Sequence, residues 1–120
     1  MPNSIVAANA RRVSVDWNRT VAEEIAVIDI YIAAALDSNA VTATVGSNTT
    51  VAINGVNVTG TAMTSNTATG QLYHNVWQGV ATDVRKSAEM DTVIKHFTDL
   101  GYSIGRRSNG TLFSWSITWY

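Results

Sequence analysis

The last twenty residues, GYSIGRRSNGTLFSWSITWY, constrain this chain more than any other stretch. Asn109-Gly110 lies between runs of alternating apolar and polar residues. Such a pair marks a β-hairpin, because both residues tolerate the positive φ of a tight turn. Successive strand side chains point to opposite faces. Phe113, Trp115, Ile117 and Trp119 therefore share one face, and Ser114, Ser116 and Thr118 the other. With Tyr102 and Ile104 on the partner strand, they form a candidate hairpin core. An aromatic face of this size requires a cover.

Helices are the natural cover. Val21, Ile25, Ile28, Ile32 and Leu36 recur at helical spacing and predict a helix over residues 15–37. Asp16 is one candidate N-cap, and Thr20 with Glu23 forms a second, a capping box. Glu23-Glu24 then fall in a first turn, where the helix dipole favours negative charge. Val27, Ile30, Tyr31 and Ala34 spread the apolar surface beyond one stripe. A helix apolar around most of its circumference is buried or faces a partner. Ile28, Tyr31 and Ile32 are thus candidates for the core and for an oligomer seam. Asp29 interrupts this run; it marks either a solvated edge or an inter-subunit salt bridge. Residues 1–13 read as an extended arm whose Arg11 and Arg12 supply exposed charge for contacts with neighbours.

The period changes after residue 40. Val41, Ala43 and Val45 alternate with Thr42 and Thr44, as in a half-buried strand. Residues 51–53, Asn54-Gly55 and residues 56–58 predict a second, tighter hairpin. Thr-rich two-sided strands can add to a neighbouring sheet, which makes Val51 and Ile53 candidate contact residues. Residues 65–70 read as a loop, and 71–80 carry mixed signals: helical spacing of Tyr73, Val76, Trp77 and Val80, weakened by Gly79. Thr82 or Asp83 caps a helix running to Leu100, with an apolar face of Val84, Met90, Val93, Ile94, Phe97 and Leu100. Gly101 stands where a C′ glycine belongs. The order predicts an α+β fold: two main helices packed on antiparallel β-hairpins, in a single domain over residues 14–120.

Composition narrows the function classes. Charged residues make up 14% of the chain, against about 25% in an average domain. The polar surface is therefore mostly Thr, Ser and Asn, which is cheap to desolvate and suits repeated protein contacts. A net charge of −1 gives no general attraction to nucleic acid or anionic lipid. With no Cys there are no disulfides and no thiolate metal ligands. The N-terminal residues lack a signal-peptide layout, and the longest apolar run, 25–36, is too short to span a bilayer.

No catalytic constellation stands out. His74 and His96 are far apart, without a second ligand at helical spacing, so no metal is expected. Neither GxSxG nor a phosphate-binding glycine loop is present. No enzyme activity, cofactor or small-molecule ligand is expected. Arg106-Arg107 beside Tyr102, Phe113, Trp115 and Trp119 could hold single-stranded nucleic acid through charge and stacking. Strict alternation instead predicts that the rings are buried, so this remains the rival reading, with Arg11 and Arg12 as further cations.

Residues 73–119 resemble a group of short proteins of tailed bacteriophages, notably those infecting marine cyanobacteria. The resemblance rests on Tyr73, Val76-Trp77-Gln78-Gly79, the helix end His96-Phe97-Thr98-Asp99-Leu100, Gly101-Tyr102-Ser103-Ile104-Gly105-Arg106-Arg107-Ser108-Asn109 and Phe113-Ser114-Trp115-Ser116-Ile117-Thr118-Trp119. It implies a virion structural protein made in the host cytoplasm and assigns no catalytic residue. Together with the low-charge composition, it leads to the expectation of a capsid cement or decoration subunit that binds other virion proteins and itself. A neck, tail or baseplate component is the nearest variant. A small phage nucleic-acid-binding or regulatory protein is the alternative.

Overall fold

The computed structural model describes the backbone of residues 4–119 and the side chains of residues 19–119. Its elements are α1 (Ser4–Asp37), β1 (Thr42–Val45), β2 (Thr50–Ile53), β3 (Val56–Thr59), α2 (Ala68–Trp77), α3 (Val84–Asp99), β4 (Ser103–Asn109) and β5 (Leu112–Thr118). The fold is α+β, as its sequence predicts.

β5 is the centre of a three-stranded antiparallel sheet in the order β1-β5-β4. β4 and β5 form the C-terminal hairpin, with Ile104 opposite Ile117 and Arg106 opposite Trp115. β1 adds to the other side of β5, with Ala43 opposite Ile117 and Val45 opposite Trp115. β2 and β3 form a separate two-stranded hairpin. Local residues explain both turns. Ile53 pairs with Val56, leaving Asn54 and Gly55 as the two turn residues, both at positive φ (50° and 79°). That is the demand of a type I′ turn. In the C-terminal hairpin Asn109 pairs with Leu112, so the turn residues are Gly110 and Thr111, one position later than the Asn-Gly reading places them. Gly110 takes the positive φ, 67°, as a Gly-X turn requires.

α1, α2 and α3 each end in a Schellman motif, in which the two amides beyond the cap satisfy the last free carbonyls. On α1 the left-handed residue is Asn39, with Ala40 N donating to Ala35 O at 2.9 Å. On α2 it is Gly79, with Val80 N donating to Asn75 O at 2.9 Å. On α3 it is Gly101, with Tyr102 N donating to Phe97 O at 3.0 Å. The Tyr102 ring then packs edge-on against Phe97, 5.8 Å between centroids, which carries the chain from helix into β4. At the other end of α3, Asp83 accepts from Lys86 N at 3.0 Å as its N-cap. Thr67 caps α2, which makes 71–77 helical, takes residues 68–70 out of the expected loop and leaves 78–80 as the turn beyond the helix.

The start of the first helix differs from expectation. α1 begins at Ser4, so the backbone over 4–13 is helical, and the expected caps Asp16 and Thr20 fall within the helix. The segment is Ala-rich, with neither Gly nor Pro from Ser4 to Asp37, so nothing in it stops helix propagation. At 34 residues α1 is about 51 Å long. Residues 1–3 and the side chains of Arg11 and Arg12 lie outside the described residues.

The core fills the space between α1, α2, α3 and the inner face of the three-stranded sheet. Phe113, Trp115, Ile117, Ala43 and Val45 meet Val21, Ile28, Tyr31 and Ile32 of α1 and Met90, Val93 and Phe97 of α3. The Phe113 and Trp115 rings meet edge to face, 5.0 Å apart, and Trp77 of α2 caps Phe113 at 5.9 Å. Tyr102, Ile104 and Trp119 are half-buried at the rim. Val84 and Leu100, expected on the apolar face of α3, are exposed at the two ends of the helix, beyond the reach of the sheet.

Candidate functional site

The polar chemistry of the interior centres on two buried carboxylates. Glu24 of α1 is 1% exposed and Glu89 of α3 is 3% exposed. Glu24 Oε2 accepts from Trp115 Nε1 of β5 at 2.7 Å and from the Thr61 hydroxyl. Its Oε1 accepts from Met63 N at 3.4 Å. Thr61 and Thr64 complete the cluster: Thr61 N donates to Thr64 Oγ1 at 2.8 Å, and their hydroxyls lie 3.1 Å apart. Burial raises the Glu24 pKa to about 7. The three donors pull it down in part, and the Glu89 charge adds to the rise.

Glu89 takes a hydrogen bond from the Tyr73 hydroxyl at 3.0 Å and faces Arg85 Nε at 3.7 Å. Burial, then the neighbouring Glu89, pushes the Tyr73 phenol above its ordinary range. Lys86 sits 5.6 Å from the centre of the Tyr73 ring and pairs with Asp83 at 3.2 Å. Two carboxylates and a tyrosine are an acid–base set, but general acid–base catalysis requires a substrate within hydrogen-bond reach. Three surface grooves among the described residues are lined by other side chains than Glu24, Glu89 and Tyr73. The cluster joins α1, α2, α3, β5 and the 61–64 turn. Its geometry is that of a structural hub.

The sequence carries a signal for both acids. Glu24 lies three residues after Val21 and four before Ile28, on the buried line of α1. Glu89 lies four before Val93 and eight before Phe97, on the buried line of α3. Reading Glu24 as a first-turn acid depended on a helix start near Thr20, which the α1 boundary removes.

The candidate interface residues separate into two groups. Ile28, Tyr31 and Ile32 are buried in the core of this chain, because α1 turns that line toward β1, β2 and α3. Val51 is half-buried, and Ile53 and Asp29 are exposed, so the solvated-edge reading of Asp29 describes its setting in this chain. The Tyr31 hydroxyl reaches past the core to the foot of the β2–β3 hairpin, where it meets Thr49 O and Val58 O and accepts from Gly60 N at 2.7 Å.

Strand alternation divides Arg106 from Arg107. Arg106 points inward, half-buried, with its guanidinium 5.4 Å from the Trp77 ring centre and 3.5 Å from Met90 Sδ. Arg107 is exposed on the opposite face. Of the four rings that would stack on bases, Phe113 and Trp115 are fully buried, while Tyr102 and Trp119 are half-buried at the rim. The histidines are also apart. His74 Nε2 lies 3.0 Å from Ser108 Oγ, and its buried Nδ1 has no partner. His96 is half-buried and edge-on to Phe97 at 4.9 Å. Among the described residues no three metal-ligating side chains come together, and no helix is long and apolar enough to cross a membrane.

The surface is unusual for its lack of charge. No Asp, Glu, Lys or Arg occurs between Asp37 and Asp83. The β2–β3 hairpin lies within that stretch, with Ile53 and Val56 exposed, Val56 at 62%. The outer face of the larger sheet carries Thr42, Thr44, Ser103, Ser116 and Thr118, with Arg107 as its cation. Comparison with family models, curated proteins and solved structures gives no match to this chain.

Proposed function

We propose that this chain is a structural protein of a bacteriophage virion, a capsid cement or decoration subunit that binds neighbouring subunits; a neck, tail or baseplate position is the nearest variant. The observation that carries the reading is the uncharged β2–β3 hairpin. Each of its strands pairs only with the other among the described residues, which leaves two free edges. Proteins that stay monomeric blunt such edges with Lys, Pro, a bulge or a covering loop. This hairpin has neither Lys nor Pro, and it exposes Ile53 and Val56. Edges of this kind suit a strand pair that another chain covers. The hydroxyl-rich outer face of the larger sheet adds surface that is cheap to desolvate. The resemblance of residues 73–119 to proteins of tailed phages supplies the setting. Arg106, held against Trp77, is withdrawn from the cations available to nucleic acid, so the binding-module alternative has less support.

Mass spectrometry of gradient-purified particles of the encoding phage tests the proposal. The chain should be present in fixed ratio to the main shell protein, and Val56→Lys should lower that ratio. Presence in infected cells but absence from purified particles overturns the virion reading. An unchanged ratio for Val56→Lys overturns the hairpin as the contact.

A further inference from the structure

Glu24 is an ionisable group that closes a segment of chain against the core, and its setting gives that closure a proton dependence. Three donors converge on it: Trp115 Nε1 at 2.7 Å, Met63 N at 3.4 Å and the Thr61 hydroxyl. No ion pair reaches it among the described residues, and the nearest titratable neighbour of consequence is a second buried acid, Glu89. A carboxylate enclosed without a cation disfavours its own charge. Hydroxyls tolerate either form. When Glu24 is ionised, Thr61 donates to it. When Glu24 is protonated, its O–H can be donated to Thr61, and the Thr61 hydroxyl turns toward Thr64 Oγ1, 3.1 Å away.

We propose that Glu24 is a proton-controlled latch: protonated, it holds the 61–64 turn against α1 and β5; ionised, it frees that turn to open. The turn is the element that moves because it is the least anchored of the three. α1 is packed along its length from Val21 to Ile32, and β5 is paired on both sides. The turn is held by Glu24, by the reciprocal Thr61–Thr64 bonds and by the burial of Met63. Tyr31 holds the end of β3 just before the turn through Val58 O and Gly60 N, so the opening is confined to the turn itself.

Other charges face this site from each packed element. On α3, Glu89 adds like charge and is itself offset by Arg85 at 3.7 Å. On α2, Tyr73 is bonded to Glu89 and stays protonated. Lys86 and Asp83 pair with each other at the start of α3. β5 presents the Trp115 indole, which does not titrate. Burial brings the titration of Glu24 near neutrality. The inference is independent of the virion reading, since it concerns the fold of the isolated chain.

Amide hydrogen exchange on the intact protein from pH 5 to 9 tests the latch. After correction for intrinsic exchange, protection at Thr61, Met63 and Thr64 should fall by up to about tenfold per pH unit from pH 5 to about 7 and level off above it. It should stay level in Glu24→Gln, while Trp115 and Ile117 remain more strongly protected at every pH. Level protection in the wild type, an equal fall in Glu24→Gln, or exchange of the turn at the same rate as Trp115 and Ile117 each overturns the proposal. If Glu24→Gln does not fold, the wild-type carboxyl titration followed by NMR decides. A midpoint near 7, shared by the Thr61 and Thr64 amide shifts, supports the latch; a midpoint near the ordinary 4.5 removes it.

Discussion

Glu24 and Tyr31, two helical turns apart on α1, grip adjacent parts of one segment: Tyr31 accepts from Gly60 N, and Glu24 binds Thr61 and Met63. Residues seven apart lie on one face of a helix, so a single line of α1 fixes where the β2–β3 hairpin leaves the core. The hairpin projects from that foot with its turn, Asn54-Gly55, exposed.

Tyr31→Phe should therefore destabilise the protein despite conserving the ring. It deletes the group that meets Thr49 O and Val58 O and that accepts from the buried Gly60 amide. Leaving a buried N–H without a partner costs about 1–3 kcal/mol. Urea unfolding should place the loss near 2 kcal/mol. A loss under about 0.5 kcal/mol would mean that water replaces the hydroxyl.

The tryptophans of β5 and its extension should separate. Trp115 is fully buried, and Trp115→Ala should cost about 3–5 kcal/mol through its cavity and the loss of the Glu24 bond. Trp119 is half-buried beside Tyr102, 6.1 Å between ring centres, on the rim of a groove with Ile32, Leu36 and Leu100. Trp119→Ala should cost roughly half as much or less, about 1–2 kcal/mol. Equal losses in thermal or denaturant melts would contradict the exposure of the Trp119 edge.

Local codes made much of this fold legible, and cooperative packing hid the rest. Asn54-Gly55, Asp83, Gly101 and the alternation from Phe113 to Trp119 act within a few residues, and each defines its element. Glu24 and Glu89 fall on the apolar lines of their helices, but the partners that satisfy them lie elsewhere in the chain, Thr61 and Trp115 at 37 and 91 positions from Glu24 and Tyr73 at 16 from Glu89, so neighbours in sequence do not name them. The pairing of β1 with β5 is of the same kind: alternation in residues 41–45 marks a strand but names no partner. Ile28, Tyr31 and Ile32 were legible as apolar, while the choice between core and interface came from the sheet that covers them.

Stability should fall as pH rises across neutrality. Folding raises the Glu24 pKa from its ordinary 4.5 to about 7, so between these values the folded chain binds more protons than the unfolded one. The slope of stability against pH is then negative. The contribution is fully present below pH 4.5 and is lost as pH passes through about 7, on the order of 3 kcal/mol in all. Asp83, lowered by its bond from Lys86 N, acts in the opposite sense and only in the acid range, where its protonation removes a cap. Urea midpoints from pH 5 to 8 should decline in the wild type and flatten in Glu24→Gln. A rise over that interval would reverse the assignment.

Two glycines should respond to alanine in opposite ways. Gly70 lies in the first turn of α2 at an ordinary φ, where alanine is favoured over glycine by about 1 kcal/mol on helix propensity alone. A Cβ there would sit 1.9 Å from Ser65 O, a backbone atom that cannot swing aside. The Ser65 hydroxyl is also tied to Ala62 O at 3.0 Å and lies 2.8 Å from Thr67 Oγ1, so displacing this residue strains the approach to the α2 cap. Overpacking against fixed atoms costs about 1–3 kcal/mol, and the clash should outweigh the propensity gain. Gly105, on β4 opposite Ser116, has nothing within 4 Å of the same position and an ordinary φ. Gly105→Ala should stabilise by about 0.5 kcal/mol through the reduced freedom of the unfolded chain. Thermal melts should therefore show Gly70→Ala below the wild type and Gly105→Ala at or above it. A stabilised Gly70→Ala would mean that the 62–67 loop yields, and with it the close packing that sets α2 against the sheet.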